Sequence, residues 1–171
     1  MKGVCAIYND KALALVTRSS SHALMNLMLP SDHEPYLPEG MQPPWHPIMN
    51  LRGHDLRNGF PDQPVACLVR DPVERFRSAC ARRNKSVEEG LELLSTDVHF
   101  WPLADMGLLA GVTHFRFPDQ IDACAEWLGL PTPVPPLNQE SEDGKPVLTA
   151  EQTAAIRQAY AADVALWESL Q

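Results

Sequence analysis

Short blocks of hydrophobic residues along the chain predict strands that alternate with helices. Residues 4–8 and 13–17 are two apolar runs of the β type, separated by the turn-like residues 9–11, and they predict a hairpin or two neighbouring strands. Residues 65–69 form a continuous apolar run, Val-Ala-Cys-Leu-Val, which is typical of a buried parallel strand. Residues 112–117 are a further strand candidate. These runs supply the strands of a sheet.

Capping residues and apolar stripes predict the helices. Residues 23–29 form a helical stretch that stops at Pro30, and Asp71 with Pro72 makes a favoured N-cap and first helical residue. The other helix signals are the capping boxes at residues 86–89 and 149–152, the pattern of residues 119–128, and the stripe Ile156, Tyr160, Val164 and Trp167. The alternation predicts one α/β domain over residues 1–171, with a mainly parallel central sheet flanked by helices.

Residues 30–64 differ from the rest of the chain because they show neither a helical nor an alternating hydrophobic period. Half of the 16 prolines fall in this segment, together with His33, His46, His54 and Trp45. Such a composition predicts an irregular path over the surface. Since a loop of this length within a compact domain is usually functional, we interpret it as a substrate-facing cover.

Composition and charge narrow the range of functions. The chain has 14 Lys and Arg against 22 Asp and Glu, a formal charge of −8, which argues against broad binding to nucleic acid or anionic membrane. No apolar run approaches a membrane span of about 20 residues, and polar residues interrupt residues 1–10, so a cytoplasmic protein is predicted. Cys5, Cys67, Cys80 and Cys124 are far apart, so neither a disulfide framework nor a metal site is expected.

Positive charge is concentrated in residues 70–85, which hold six of the 14 cations and only two carboxylates. Arg70 stands between the apolar run and a helix N-terminus, where free backbone N–H groups and the helix dipole favour an anion. Ligands of open α/β sheets bind at the carboxyl ends of strands. Arg70, with the Ser78 hydroxyl two helical turns on, therefore predicts a phosphate site. A solvated helix face is the alternative interpretation.

A second anion site is predicted by the loop at residues 17–22, which also follows a strand and precedes a helix. Its residues are Thr17, Arg18, Ser19, Ser20, Ser21 and His22. They offer a guanidinium, hydroxyls and backbone N–H groups to a phosphate or sulfate, although ordinary serine-rich turns carry similar residues. The Walker A pattern and a clear magnesium-binding Asp are absent, which disfavours an ATP or GTP hydrolase. Two anion sites suggest one ligand with two separated anionic groups.

Five segments carry a resemblance to a known family. Residues 68–79, Leu-Val-Arg-Asp-Pro-Val-Glu-Arg-Phe-Arg-Ser-Ala, resemble the Arg-Asp-Pro-x-x-Arg-x-x-Ser signature of sulfotransferases, most closely the carbohydrate branch. Residues 17–21 are similar to the 5′-phosphosulfate loop of that family. Residues 97–102 resemble its His-aromatic-x-Pro stretch, and residues 137–141 and 160–163 resemble its Asn-x-(x)-Ser and Tyr-x-x-Asp segments. The likeness runs over most of the chain in the same order.

The resemblance implies a P-loop-NTPase-like sulfotransferase fold and a metal-independent reaction. A sulfuryl group would pass from 3′-phosphoadenosine 5′-phosphosulfate (PAPS) to a hydroxyl or amine of a small-molecule or carbohydrate acceptor. Arg70 and Ser78 would hold the 3′-phosphate of PAPS or of its product, 3′-phosphoadenosine 5′-phosphate (PAP). Residues 17–22 would hold the 5′-phosphosulfate, with Arg18 stabilising charge on the transferring group.

The acceptor proton needs a base, and the family often uses a His or Glu upstream of the Arg-Asp-Pro strand. His54 is the first choice, followed by His46 and then His22, because imidazole accepts protons near neutral pH. His99 we interpret as a hydrogen-bonded core histidine. Two other functions stay open. The first is a degenerate family member that binds PAP without transferring sulfate, because Ser20 stands where the family usually has Gly. The second is a nucleotide or small-metabolite kinase.

Overall fold

The computed structural model describes residues 4–8, 10–16, 24, 27–28, 52–55, 61–135, 142 and 144–170, with backbone alone for residues 4, 6–8 and 52–55. Within these residues, one sheet has the order β3-β1-β2-β4-β5. The strands are β1 (Val4–Tyr8), β2 (Lys11–Ala14), β3 (Arg52–Asp55), β4 (Val65–Val69) and β5 (Thr113–Arg116). The helices are α1 (Pro72–Arg83), α2 (Val87–Glu92), α3 (Leu103–Met106), α4 (Ile121–Leu128), α5 (Ala150–Ala159) and α6 (Ala161–Ser169). Leu24, Leu27 and Met28 are also helical.

The sheet is mixed. Strands β2, β4 and β5 are parallel neighbours, whereas β1 runs antiparallel to both β2 and β3. The α/β class is therefore confirmed. Of the two arrangements that the sequence allowed for the first two strands, the antiparallel hairpin forms, with its second strand at Lys11–Ala14 rather than at residues 13–17. The prediction of a mainly parallel sheet is correct for three strands only. The reason is the short connection between Tyr8 and Lys11, which can join only antiparallel strands.

Strand β3 lies inside the segment that the sequence predicted to be irregular. Its residues pair with β1 through the backbone, with Arg52 opposite Ile7 and His54 opposite Cys5. The sequence Arg-Gly-His-Asp has no hydrophobic alternation, so the ladder with β1, rather than a burial pattern, makes this a strand. Residues 30–51 and 56–60 lie outside the described residues. The substrate-facing cover, which the family resemblance would put on the acceptor side, stays a prediction.

The two faces of the sheet pack against different helices. On one side, which we name the α3 face, Cys67 and Val69 pack with Leu103 and Met106. On the other side, which we name the α4 face, Ala66 and Leu68 pack with α4 and with the helical residues 24 and 28. All five residues of β4 are buried, as the continuous apolar run predicted. The strand before Arg70 is thus the centre of the core.

Helix α1 joins a third cluster beyond the α3 face. The Phe76 ring makes edge contacts with Phe100 at 5.4 Å and Tyr160 at 6.1 Å between centroids. Gly90 of α2 permits this packing, because a Cβ there would lie 2.7 Å from the Phe76 ring. The predicted terminal helix is confirmed with a break at Tyr160, which separates α5 from α6 while Ile156 stays buried on the same stripe. The predicted capping boxes before α2 and α5 form as well.

All four cysteines are buried free thiols. The apolar sequence neighbours of Cys5, Cys67 and Cys124 are typical of such buried thiols. Burial raises the pKa of Cys80 to about 11 and those of Cys5 and Cys124 to about 12. The pKa of Cys67 is raised further by the same cause. These thiols are therefore protonated at neutral pH and chemically quiet. In the described part of the chain, no helix has the length and apolarity needed to cross a bilayer.

Candidate functional site

The candidate site lies at one edge of the sheet, where neighbouring strands end. Strands β2 and β4 are parallel and adjacent, with Leu13 opposite Ala66, so their carboxyl ends reach the same edge. Arg70 follows β4 directly, and the chain leaves β2 through Val16. The six loop residues Thr17, Arg18, Ser19, Ser20, Ser21 and His22 lie outside the described residues. Both predicted anion-binding segments thus start from adjacent strands at one edge.

Arg70 lies on the α4 face. Its guanidinium is half-buried and stands over the Phe117 ring, 5.8 Å from the ring centroid. Phe117 packs against the cluster that contains Leu24 and Met28, the helical residues that follow the loop at residues 17–22. Arg70 also makes a further interaction within the chain. Its charged group is therefore on the side of the sheet where the helix after that loop packs.

The N-terminus of α1 does not offer the free N–H groups that we predicted there. The Asp71 carboxylate accepts hydrogen bonds from Val73 N at 2.8 Å and Glu74 N at 3.3 Å, and Pro72 has no N–H. The next amide, Arg75 N, donates to the Asp71 carbonyl at 2.9 Å. The prediction was wrong because the N-cap that starts the helix also occupies its donors. Of the described groups at the start of α1, this leaves the Arg70 side chain as the candidate for binding an anion.

Most other cations of residues 70–85 are paired within the molecule. Their ion pairs are Arg75 with Asp163 at 2.9 Å, Arg77 with Glu74 at 2.5 Å and Glu142 at 3.1 Å, Arg83 with Asp97 at 2.8 Å, and Lys85 with Glu89 at 3.0 Å. Arg82 is exposed. The local excess of positive charge in the sequence is therefore not an open basic surface. Of this group, Arg70 is the cation that stands at the strand end.

Ser78 is fully buried within α1, at 0% exposure. It lies six residues after Pro72, about 9 Å along the helix axis, and it makes an interaction within the chain. Arg70 and Ser78 thus belong to one strand-to-helix unit, but at the two ends of its first two turns. A phosphate contact at Ser78 requires that the atoms covering it give way.

The three candidate bases differ in what the structure describes. His54 lies on β3, whose carboxyl end reaches the same edge as those of β2 and β4 because β3 and β2 both run antiparallel to β1. Strand β3 is two places from β2 and three from β4, roughly 10 and 14 Å at the usual strand spacing. His46 and His22 lie outside the described residues. Strand β3, which carries His54, is thus nearer to the carboxyl end of β2 than to that of β4, after which Arg70 follows.

His99 is hydrogen-bonded, as we expected, but it is half-buried rather than inside the core. Its Nδ1 lies 2.7 Å from Asp97 Oδ1, and Arg83 Nε donates to Asp97 Oδ2 at 2.8 Å. Burial opposes ionisation of Asp97, but hydrogen bonds from the His99 backbone and ring and from Arg83 outweigh it, so its pKa is lowered. This group fastens residues 97–99 to the far end of α1.

Three of the segments that carry the family resemblance meet in one buried cluster. Asp163 accepts hydrogen bonds from Arg75 Nη2 at 2.9 Å and from Leu103 N at 2.8 Å. The Tyr160 hydroxyl donates to the Phe100 carbonyl. Residues 68–79, 97–102 and 160–163 are therefore in contact, although the sequence analysis assigned no role to Asp163. A lone carboxylate beside the apolar stripe of the last helix was the signal that a buried partner exists.

Within the described residues, no group of three or more His, Cys, Asp or Glu side chains could hold a metal ion. The sequence matches no protein-family model, and it matches neither a curated protein nor a solved structure. The site must therefore be interpreted from its own residues. What it offers is a guanidinium at one strand end, beside an adjacent strand that leads into a loop rich in hydroxyl groups.

Proposed function

We propose that the chain is a PAPS-dependent sulfotransferase that moves a sulfuryl group to a hydroxyl or amine of an acceptor, with a carbohydrate favoured. A small-molecule acceptor fits the same chemistry. The observation that carries the proposal is the adjacency of β2 and β4. Because both strands end at one edge, a ligand with two anionic groups can be held by the segments that follow them.

The side of the sheet on which Arg70 stands supports the same ligand. Phe117 places the Arg70 guanidinium on the α4 face, together with the helical residues Leu24 and Met28. A guanidinium fork suits the oxygens of a 3′-phosphate. The loop at residues 17–22 leads into that helix and would take the 5′-phosphosulfate. Arg70 and Arg18 would then bind opposite ends of one bisphosphorylated adenosine.

The proposed reaction is an in-line displacement at sulfur. The acceptor oxygen or nitrogen forms a bond to sulfur while the bond from sulfur to the 5′-phosphate oxygen breaks, and PAP leaves with that electron pair. The acceptor proton passes to a base, for which His54 is our first candidate. Arg18 stabilises the negative charge that develops on the leaving phosphate. As in phosphoryl transfer, positioning and electrostatics supply most of the rate.

Binding of PAP tests the proposal directly. We expect PAP to raise the melting temperature of the protein in the presence of EDTA, since no metal takes part, and the shift should grow with PAP concentration. Adenosine 5′-phosphate, which lacks the 3′-phosphate, is the matched control and should stabilise far less. Transfer of labelled sulfate from PAPS to a panel of sugars and amines then tests catalysis.

Each contrary result points to a different function. Stabilisation by magnesium and ATP but not by PAP would replace the proposal with a kinase. Binding of PAP with no transfer to any acceptor would favour a degenerate member that acts as a binding module, consistent with Ser20 at the usual Gly position. No effect of either nucleotide would refute the assignment of Arg70 to a phosphate.

A further inference from the structure

A buried ion pair links the strand-to-helix unit of the candidate site to the end of the chain. Arg75 and Asp163 are 3% and 1% exposed, and their charged groups approach to 2.9 Å. They are separated by 88 residues in sequence. Removal of each charge from water carries a large desolvation cost, which only close pairing and further hydrogen bonds offset. A pair of this kind fixes the elements that carry it in one relative position.

The carboxylate of Asp163 is shared between two helices. Its Oδ2 accepts from Arg75 Nη2 and from Leu103 N, and its Oδ1 accepts from Ala104 N at 3.3 Å. Asp163 therefore caps the first turn of α3, for which Pro102 provides no side-chain cap. One carboxylate on α6 thus holds both α1 and α3, and α3 packs on the α3 face of the sheet under β4.

The guanidinium of Arg75 is held on a second side by an aromatic ring. Its central carbon lies 5.3 Å from the centroid of the Tyr160 ring, and the Tyr160 hydroxyl is fixed on the Phe100 carbonyl. Arg75 Nη1 is buried without a hydrogen-bond partner, so nearly all of the polar compensation of this cation comes from Asp163. Rotation of α1 about its axis would break these contacts.

We infer that Arg75 and Asp163 are positioning residues for the proposed PAPS site, an inference that rests on the proposed function. Ser78 lies one turn beyond Arg75 on the same buried side of α1, and Arg70 lies two residues before α1 begins. The ion pair sets the rotation of α1, and with it the position of the Ser78 hydroxyl relative to Arg70. Neither Arg75 nor Asp163 contacts the cofactor.

The test replaces the pair without leaving a charge unpaired. The double variant Arg75→Met/Asp163→Leu fills the same space with apolar groups and is expected to fold, because such exchanges are often neutral for stability. We expect its Kd for PAP, measured well below its melting temperature, to rise at least about tenfold, since displacement of a binding group by an ångström is costly. The single variant Arg75→Lys keeps the charge opposite Asp163 and should retain most of the affinity for PAP. Val87→Ala, a core truncation in α2, is the control for a general loss of stability.

Amide hydrogen exchange separates failure of this inference from failure of the proposed function. If the unmodified protein does not bind PAP, the proposed function fails, and exchange at residues 72–83 and 103–106 still tests whether the ion pair fixes the positions of α1 and α3. Faster exchange in both helices of the double variant, with α4 unchanged as internal control, supports the coupling. A folded double variant with unchanged PAP affinity, or with unchanged exchange where PAP does not bind, overturns it.

Discussion

Arg70 and Arg75 belong to one sequence motif, five residues apart, yet they do opposite things. Arg70 follows a strand, stays half-buried and stands over an aromatic ring at the sheet edge. Arg75 lies one turn into a helix, is 3% exposed and is neutralised by Asp163. Arg70 continues the alternation of β4, in which Ala66 and Leu68 lie on the α4 face, whereas Arg75 lies on the side of α1 that is buried in the core.

The comparison teaches how a basic cluster should be interpreted. Arg75, Arg77, Arg83 and Lys85 each have a carboxylate partner within the chain. They stabilise helix contacts and contribute little to the field that an incoming anion meets. Arg70 alone follows a strand of this sheet in that segment. Five experiments test the contrast, from the largest expected effect to the smallest.

Loss of the Asp163 charge should have the largest effect on stability. Asp163→Asn leaves Arg75 buried without a counter-ion, which costs about 3 kcal/mol or more. The free energy of unfolding from urea titration measures this. Glu142→Gln removes an exposed partner of Arg77 and should cost less than about 1 kcal/mol. Equal losses in the two variants would contradict the distinction between buried and surface pairs.

Loss of the proposed base should abolish most of the transfer but not the binding. His54→Ala is expected to lower the rate of sulfate transfer about 10²-fold, because no base then takes the proton from the hydroxyl or amine that receives the sulfuryl group. The Kd for PAP should stay unchanged, since the proposal assigns His54 to the acceptor proton rather than to either phosphate. If His54→Ala keeps full activity, the same assay applied to His46→Ala and His22→Ala identifies the base.

Removal of the strand-end cation should weaken the cofactor itself. Arg70→Ala is expected to reduce PAP affinity by about 2 kcal/mol, the loss of a charge-assisted hydrogen bond to phosphate. Titration calorimetry measures the change. Arg82→Ala removes an exposed cation of the same segment and should leave the Kd unaffected. A similar loss in both variants would mean that PAP responds to general charge rather than to Arg70.

The cap of α1 separates helix stability from anion binding. Asp71→Ala removes the acceptor of two backbone N–H groups and should lower the free energy of unfolding by about 1 kcal/mol. PAP affinity should not fall, because the variant frees donors and removes a negative charge beside Arg70. Chemical denaturation and calorimetry on the same sample test both statements. A loss of PAP affinity would place Asp71 in the binding site.

The smallest effect concerns Asp97, the ion-pair partner of Arg83, and the pH dependence of its contribution to stability. The folded-state pKa of Asp97 is lowered, so its ionised form stabilises the fold above the pKa it has when unfolded, and this contribution is lost as pH falls through the folded-state value. The stability difference between the unmodified protein and Asp97→Asn should therefore be constant above about pH 5 and shrink below about pH 4. Thermal unfolding across this range measures it. A difference that grows on acidification would contradict the assignment.

Local signals in the sequence predicted much of the fold. The apolar run before Arg70, the Asp71 cap, and the capping boxes at Ser86 and Thr149 depend on neighbouring residues, and the structure has them where expected. Strand β3 was not predicted, because backbone pairing with β1 makes it a strand and its sequence shows no hydrophobic pattern. Short helix α3 escaped because its cap is Asp163, supplied from another helix.

In the candidate site too, features set by neighbouring residues could be predicted, whereas features set by three-dimensional contacts could not. Arg70 could be placed at a strand end from its position after the apolar run. The occupation of the α1 amides by Asp71 follows from hydrogen-bond geometry, and the pairing of Arg75 with Asp163 joins residues 88 apart in sequence. From the sequence alone, each charged residue can be compared only with charges nearby in the chain, and distant partners such as Asp163 are not visible. It therefore overestimated the number of cations free to meet a ligand.

The four inward thiols give the protein a practical property. Since each cysteine is enclosed and its proton is firmly held, maleimide reagents at neutral pH have no ready target among them. A single cysteine introduced at exposed position 82 would then react selectively. A fluorophore attached there would report on α1 in solution without prior removal of the native sulfur atoms.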